Sequence, residues 1–169
     1  MSRRQKIILG ALLLFLVLCL SGCLFVARQK AQIPYKAVVI TGKFSPTLYG
    51  QLAFDILTYI NIKVAIAPKD ADLILEILHD APSSQIASYG ATGQISAYDL
   101  NDVVEFRVFD AAGNQIVPLT QIYAVRNVNF SSGTVLSADI QQNQMLEEMR
   151  KELAMQVTVY LMAIGHRHK

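Results

Sequence analysis

Apolar positions recur along this chain with two different periods. Ala37-Val38-Val39-Ile40-Thr41 is a compact β-branched run bounded by Gly42, which predicts a buried strand. Ser45-Pro46 then reads as an N-cap followed by proline in the first helical turn. Leu48, Leu52, Ile56, Tyr59 and Ile60 come next at helical spacing, predicting one amphipathic helix over 46–60, which Gly50 weakens slightly. Ile62 to Ala67 reads as a short strand ended by Pro68, and Leu73 to Leu78 as another after the turn holding Asp70 and Asp72. Ala81-Pro82-Ser83-Ser84 and Gly90-Ala91-Thr92-Gly93 punctuate the middle of the chain, and 92–100 fits strand or loop equally. Val104, Phe106 and Val108 alternate with Glu105 and Arg107, a half-buried strand. Asp110 to Asn114 is turn chemistry, and Gln115 to Phe130 is β-rich, so the two arms predict an antiparallel hairpin with Pro118 at an edge or bulge.

The last element has the longest pattern. Leu146, Met149, Leu153, Val157, Tyr160 and Ile164 form one continuous helical stripe, and Gly165 is placed to end it ahead of the basic tail 166–169. The order is strand, helix, several strands, helix. Two apolar helical stripes need one face of one sheet, which predicts an α+β two-layer sandwich: two helices packed on one face of a mostly antiparallel or mixed β-sheet of about four strands.

The N-terminus changes the charge picture. Arg3, Arg4 and Lys6 precede the apolar run Ile7–Leu20, whose 14 residues are fewer than the roughly 20 a membrane-spanning helix needs. A charged start, a short apolar core and then Ser21-Gly22 describe a signal peptide over 1–22. Without it the chain holds 12 basic and 13 acidic residues, a net charge of −1. That balance excludes an electrostatically driven nucleic-acid binder. Of the two cysteines, Cys19 lies inside the leader, and Leu20-Ser21-Gly22-Cys23 resembles the bacterial lipobox. The resemblance implies cleavage before Cys23, thioether attachment of a diacylglycerol and acylation of the new amino group, palmitate being the usual kind of chain. Three acyl chains anchor a protein durably where one does so only marginally. Lipoproteins retained in the inner membrane resemble one another in carrying Asp after the cysteine, so Leu24 implies the outer membrane. Residues 23–34 read as a short lipidated tether and 35–165 as a single domain with no free thiol.

No catalytic constellation is visible: there is no G-x-S-x-G elbow, P-loop, H-E-x-x-H or paired cysteines. His79 reads as a surface imidazole, and His166 and His168 have no carboxylate nearby to complete a metal site. Asp70 with Asp72, and Asp99 with Asp102, read as solvated turns. The expectation is a non-enzymatic protein without metal or cofactor. Lys43, Arg107 and Arg126 are the candidate contacts for a phosphate or carboxylate ligand, the two arginines because a guanidinium forks onto either; a solvated outer face, or a rim salt bridge with Glu105 or Asp110, is the competing reading for each.

Taken in order, these features resemble the LptE lipopolysaccharide-assembly lipoprotein family. The residues that carry the resemblance are Gly22-Cys23-Leu24-Phe25 with Arg28 and Pro34, Ala97-Tyr98-Asp99-Leu100, Phe106 to Gly113, Val125-Arg126, the connection Phe130–Leu136 and Glu147 to Glu152. The resemblance implies a small α/β sandwich that plugs the lumen of a large outer-membrane β-barrel, LptD, helps it assemble and acts with it in delivering lipopolysaccharide to the outer leaflet. Such a barrel is polar inside, which suits a near-neutral plug. The chain departs from the family's pattern at two places. Where well-known members carry basic residues linked to lipopolysaccharide phosphate, it has Ala91 and Ala138. Any direct contact with lipopolysaccharide would then fall to Arg107, Arg126 or Lys43. The alternative is an outer-membrane-anchored periplasmic lipoprotein that regulates a cell-wall enzyme. Reaching inward would need a long Pro- or Ser-rich tether, whereas the first predicted strand begins some 14 residues after Cys23.

Overall fold

The computed structural model describes residues 33–129 and 135–166. The leader 1–22, Cys23, most of the tether and the tail beyond His166 lie outside the described residues. The chain forms β1 (Ala37–Gly42), α1 (Pro46–Asp55), β2 (Lys63–Ala65), β3 (Leu73–Tyr89), β4 (Ile95–Asp110), β5 (Gln115–Asn129) and α2 (Val135–His166). The strands make one five-stranded mixed sheet in the order β2-β1-β3-β4-β5. β1 pairs in parallel with both β2 and β3, while β3, β4 and β5 form an antiparallel meander. Both helices cover one face, so the α+β two-layer reading holds with one strand more than expected.

Local chemistry explains the first turn. Gly42 has φ +103°, and a Cβ there would lie 2.0 Å from the carbonyl oxygen of Ile77, so glycine alone lets β1 leave the sheet at this point. Ser45 caps α1, its Oγ accepting from the Leu48 amide at 3.2 Å, and Pro46 opens the helix. The expected helix over 46–60 divides in two: regular α-helix gives way at Ile56–Ile60 to a wider π-helical turn, which Asn61 ends in the left-handed conformation at φ 63°. The Asp72 carboxylate accepts from the amides of Lys36 and Ala37, which ties the start of β1 to the start of β3.

The core lies between the helices and the sheet. Val38 and Ile40 of β1, Leu73, Leu75 and Ile77 of β3, and Val104, Phe106 and Val108 of β4 face Leu48, Leu52 and Ile56 of α1 and Met149, Leu153, Val157 and Leu161 of α2. The helical stripe differs from expectation by one residue. Leu161 is fully buried, whereas Tyr160 stands at its margin with its ring edge-on to Phe106, 5.4 Å between centroids. Gly165 does not end α2. It lets Ile33 pack against the helix, since a Cβ would lie 2.3 Å from the Ile33 Cγ2.

Two segments are more regular than their composition suggests. β3 continues through Ala81-Pro82-Ser83-Ser84 to Tyr89, and the 92–100 segment joins β4 from Ile95. Pro82 is tolerated because β1 pairs with β3 only as far as Ile77, so among the described residues no strand neighbours the other edge of β3 at that point. Pro118 lies on the edge strand β5, where the pairing with β4 shifts register between Phe106 and Val108, as the bulge reading expects.

Candidate functional site

Four features merit a functional reading: a buried charge cluster, the bare sheet face, the far end of the β3–β4 hairpin and a groove beside β5.

The charge cluster joins residues distant in sequence. Arg150 of α2 reaches between Asp80 of β3 and Asp102 of β4. Its Nη1 pairs with the Asp80 carboxylate and lies 3.3 Å from Ser45 Oγ, while the Ser45 amide donates to the other Asp80 oxygen at 2.6 Å. The Arg150 Nε is 3.1 Å from Asp102 Oδ2, close enough for an ion pair but off the line of a hydrogen bond. Asp102 is wholly buried, which corrects its reading as a solvated turn residue. Burial pushes its carboxyl above the ordinary range, opposed by the positive charge of Arg150 and reinforced by the negative charge of Asp80. Two carboxylates thus share one guanidinium inside the protein. Such a cluster stabilises little relative to an apolar core but is costly to break. Its position fixes α2, the α1 cap and the middle of the sheet against one another. A second buried carboxylate, Asp55 at the end of α1, has one oxygen held by Gln51 Nε2 at 2.9 Å and the other unpaired, and burial raises its pKa too.

On the sheet face opposite the helices, polar pairs bridge the strands. Arg107 Nε meets Glu76 Oε2 at 2.6 Å with its guanidinium 5.0 Å above the Phe109 ring, Gln121 donates to Glu105, and Asn127 donates to Asp99. Tyr123 and Val125 share this face and are largely exposed. Arg126 belongs to the other side of β5, where its Nη2 pairs with Glu152 of α2 at 2.5 Å. Lys43 is exposed in the connection after β1, and its amide donates to the Ile77 carbonyl. The three candidate cations are therefore not brought together: one lies on the bare face, one on the helix side of an edge strand, and one in the turn before α1. Arg107 takes neither Glu105 nor Asp110 as its partner but the cross-strand Glu76. Cys23 and the side chain of Ala138 lie outside the described residues. Ala91 lies in the turn between β3 and β4, just before the β4–β5 hairpin.

That turn ends a long projection. Residues 81–98 contain no charged side chain. From Pro82 to Tyr89 every side chain of β3 is exposed, including Ile86 and Tyr89, and Ile95 opens β4 opposite Tyr89. Near the opposite end of the sheet, a groove of about 410 Å³ is lined by Val117, Pro118 and Thr120 of β5 and by Tyr160, Ala163 and Ile164 of α2, among others. Among the described residues, no three His, Cys, Asp or Glu side chains converge as a metal site would, and no helix is long and apolar enough to cross a membrane.

The cluster can be found in the sequence only in part. Asp102 shares the parity of Val104, Phe106 and Val108, and Arg150 stands three residues before Leu153 on the buried side of α2. Both are signals of a charge facing the core. Asp80 carries no such signal, because a register shift between Ile77 and His79 turns it toward the helices.

Comparison with known proteins bears on the whole domain. The family model described as LptE, lipopolysaccharide-assembly, matches residues 35–161, from just before β1 to near the end of α2. No curated protein matches the chain. Among solved structures, uncharacterized lipoprotein B from Nitrosomonas europaea is 23% identical with a TM-score of 0.69, covering 83% of this chain and 92% of that one. A minor lipoprotein from Acinetobacter baumannii is 20% identical at TM-score 0.64, covering 78% and 93%. Rare lipoprotein B from Shewanella oneidensis is 21% identical at TM-score 0.61, covering 79% and 98%. At these identities the structures share the fold.

Proposed function

The chain belongs to the LptE lipopolysaccharide-assembly family, and from that premise we propose that it is a non-enzymatic, lipid-anchored protein of the Gram-negative outer membrane that plugs an LptD-type β-barrel and helps it assemble. The observation that carries this reading is the extent of the family match, which takes in all five strands, α1 and most of α2. Residues 1–22 serve as the export leader, Cys23 carries the acyl chains, and 23–34 tether the domain of 35–165. A tether of this length spans about 3.1 Å per extended residue, so the domain stays close to its membrane.

The geometry favours a partner met over a broad surface. The bare sheet face alternates neutralised pairs with exposed Tyr123 and Val125, and suits a wet, polar lumen better than a dry apolar one. Contact with lipopolysaccharide phosphate is the finer part of the proposal. Arg107 and Arg126 would have to exchange Glu76 and Glu152 for phosphate, which costs little because both ion pairs are half-exposed. The Lys43 side chain is exposed in its turn.

Affinity purification of the tagged, lipidated protein from detergent-solubilised outer membranes tests the reading. A stoichiometric large β-barrel is the expected result. Elution alone, or with a cell-wall synthase, overturns the partnership. Replacing Cys23 by Ser should release the protein from the membrane fraction, and its retention there would overturn the anchor.

A further inference from the structure

The outer face of the helical layer carries its charge unevenly. Glu147, Glu148, Lys151 and Glu152 stand together on α2, but from Leu153 to Gly165 the helix has no charged residue. There Val159 is more than half exposed, and Met155 and Met162 are partly so. α1 and the π-helical turn that continues it are alike. Between Pro46 and Ile60 the one charged residue, Asp55, is buried, while Phe54 and Leu57 are each more than half exposed. A surface helix ordinarily turns charged residues outward, and apolar side chains gathered there mark an interaction surface. Both helices run toward the end where the chain enters. α2 finishes where Ile33 packs on Gly165, and α1 leads into β2, whose Lys63 lies beside Ala37 at the start of β1.

That end has a cationic rim. The Lys63 amide donates to the Lys36 carbonyl at 3.0 Å, both side chains are exposed, and the sequence of α2 closes on His166-Arg167-His168-Lys169. Of the acidic residues nearby, Asp72 accepts from the amides of Lys36 and Ala37, Asp110 accepts from that of Asn114, and Asp70 follows Lys69. Apolar side chains bordered by cations suit a surface of anionic phospholipid, the first entering the acyl boundary and the second meeting headgroups.

We propose that the protein, before it meets its partner, lies on its own membrane by the outer face of the helices, with Phe54, Leu57 and Val159 entering an anionic phospholipid surface. The tether selects this occupant. Ten residues, 23–32, separate Cys23 from Ile33 and span about 33 Å at full extension. The uncharged part of α2, Leu153 to Gly165, is about 20 Å long and ends beside Ile33, so an acylated Cys23 keeps the whole of it within reach of the bilayer. The bare sheet face, on the other side of the domain, is then left free for a protein partner. The inference rests on the lipid anchor proposed above and is independent of the barrel partnership.

The chain contains no tryptophan, so a single introduced one reports its own surroundings. The lipidated full chain carrying Phe54→Trp, Val159→Trp or Tyr123→Trp is reconstituted on vesicles of phosphatidylethanolamine and phosphatidylglycerol, with and without bromine on the acyl chains. Quenching by the brominated lipid about threefold or more stronger at positions 54 and 159 than at 123 is expected, and it should weaken when phosphatidylglycerol is left out. A smaller difference, or none, in protein that stays on the vesicles overturns the docking and leaves the anchor standing. Quenching unchanged without phosphatidylglycerol overturns the part given to the cationic rim. A blue shift at 54 and 159 that arises only in the co-purified complex overturns the proposal in favour of the barrel. Protein that leaves the vesicles altogether removes the anchor and this proposal with it.

Discussion

The same two strands live in two environments. In its first half β3 pairs with β1 and β4 and lies beneath the helices, with Leu73, Leu75 and Ile77 fully buried. In its second half it pairs, among the described residues, with β4 alone, and from Pro82 onward all its side chains are exposed. Backbone pairing is continuous across the boundary, but the side-chain contribution is not. Hydrophobic burial stabilises the near half, and cross-strand hydrogen bonds such as that between Ser88 and Ser96 hold the far half extended. Strand length and core length are thus separate properties, and only the second leaves an alternating apolar pattern in the chain.

The charge cluster marks the boundary between these halves, and breaking it gives the sharpest test. Arg150→Ala leaves Asp80 and Asp102 buried without their cation and should cost about 3–5 kcal/mol in urea unfolding; a loss below about 1 kcal/mol would mean that the clamp does not separate the two regions. Leu75→Ala in the near half should cost about 2–5 kcal/mol by the same measurement, because a fully buried leucine leaves a cavity. Asp55 gives a pH-dependent effect. Its folded pKa is raised above the ordinary 3.8, so its contribution to stability is present at acid pH and is lost as pH rises above that value through the folded pKa. Asp55→Asn should therefore flatten that fall in a pH series of unfolding curves; an unaltered slope would show that the carboxyl is not the group responsible. The smallest effect is expected from Ile86→Ala on the far half, within about 0.5 kcal/mol. A larger loss would show that the hairpin tip is packed in solution.

Legibility in the sequence divides along the same boundary. β1, the Ser45 cap, the Asp110–Asn114 turn and the α2 stripe are all readable because each is specified by neighbours in sequence. The far half of β3 is not: Pro82 and its serines have the composition of a loop, and their extended conformation comes from pairing with residues 95–102. The helix over 46–60 is legible as one element, although the widening at Ile56 has no periodic signature. Of the candidate contacts, Arg107 and Arg126 are identifiable as sheet arginines, but their carboxylate partners lie 31 and 26 residues away, beyond the reach of any local pattern. The Asp80–Arg150 contact spans 70 residues and depends on a register shift that nothing in the local sequence announces.

The contact of Ile33 with Gly165 has a mechanical consequence. The chain enters the domain at the end where β1, β3 and β5 begin and α2 finishes, while the β3–β4 turn lies at the opposite end. A force drawing the Ile33 end away from the β3–β4 turn would put tension along the strands. β1 would then be pulled in shear against β3, its parallel neighbour, so that their hydrogen bonds bear the load together and do not open one at a time. On that geometry the domain resists stretching best along the line from Ile33 to the β3–β4 turn.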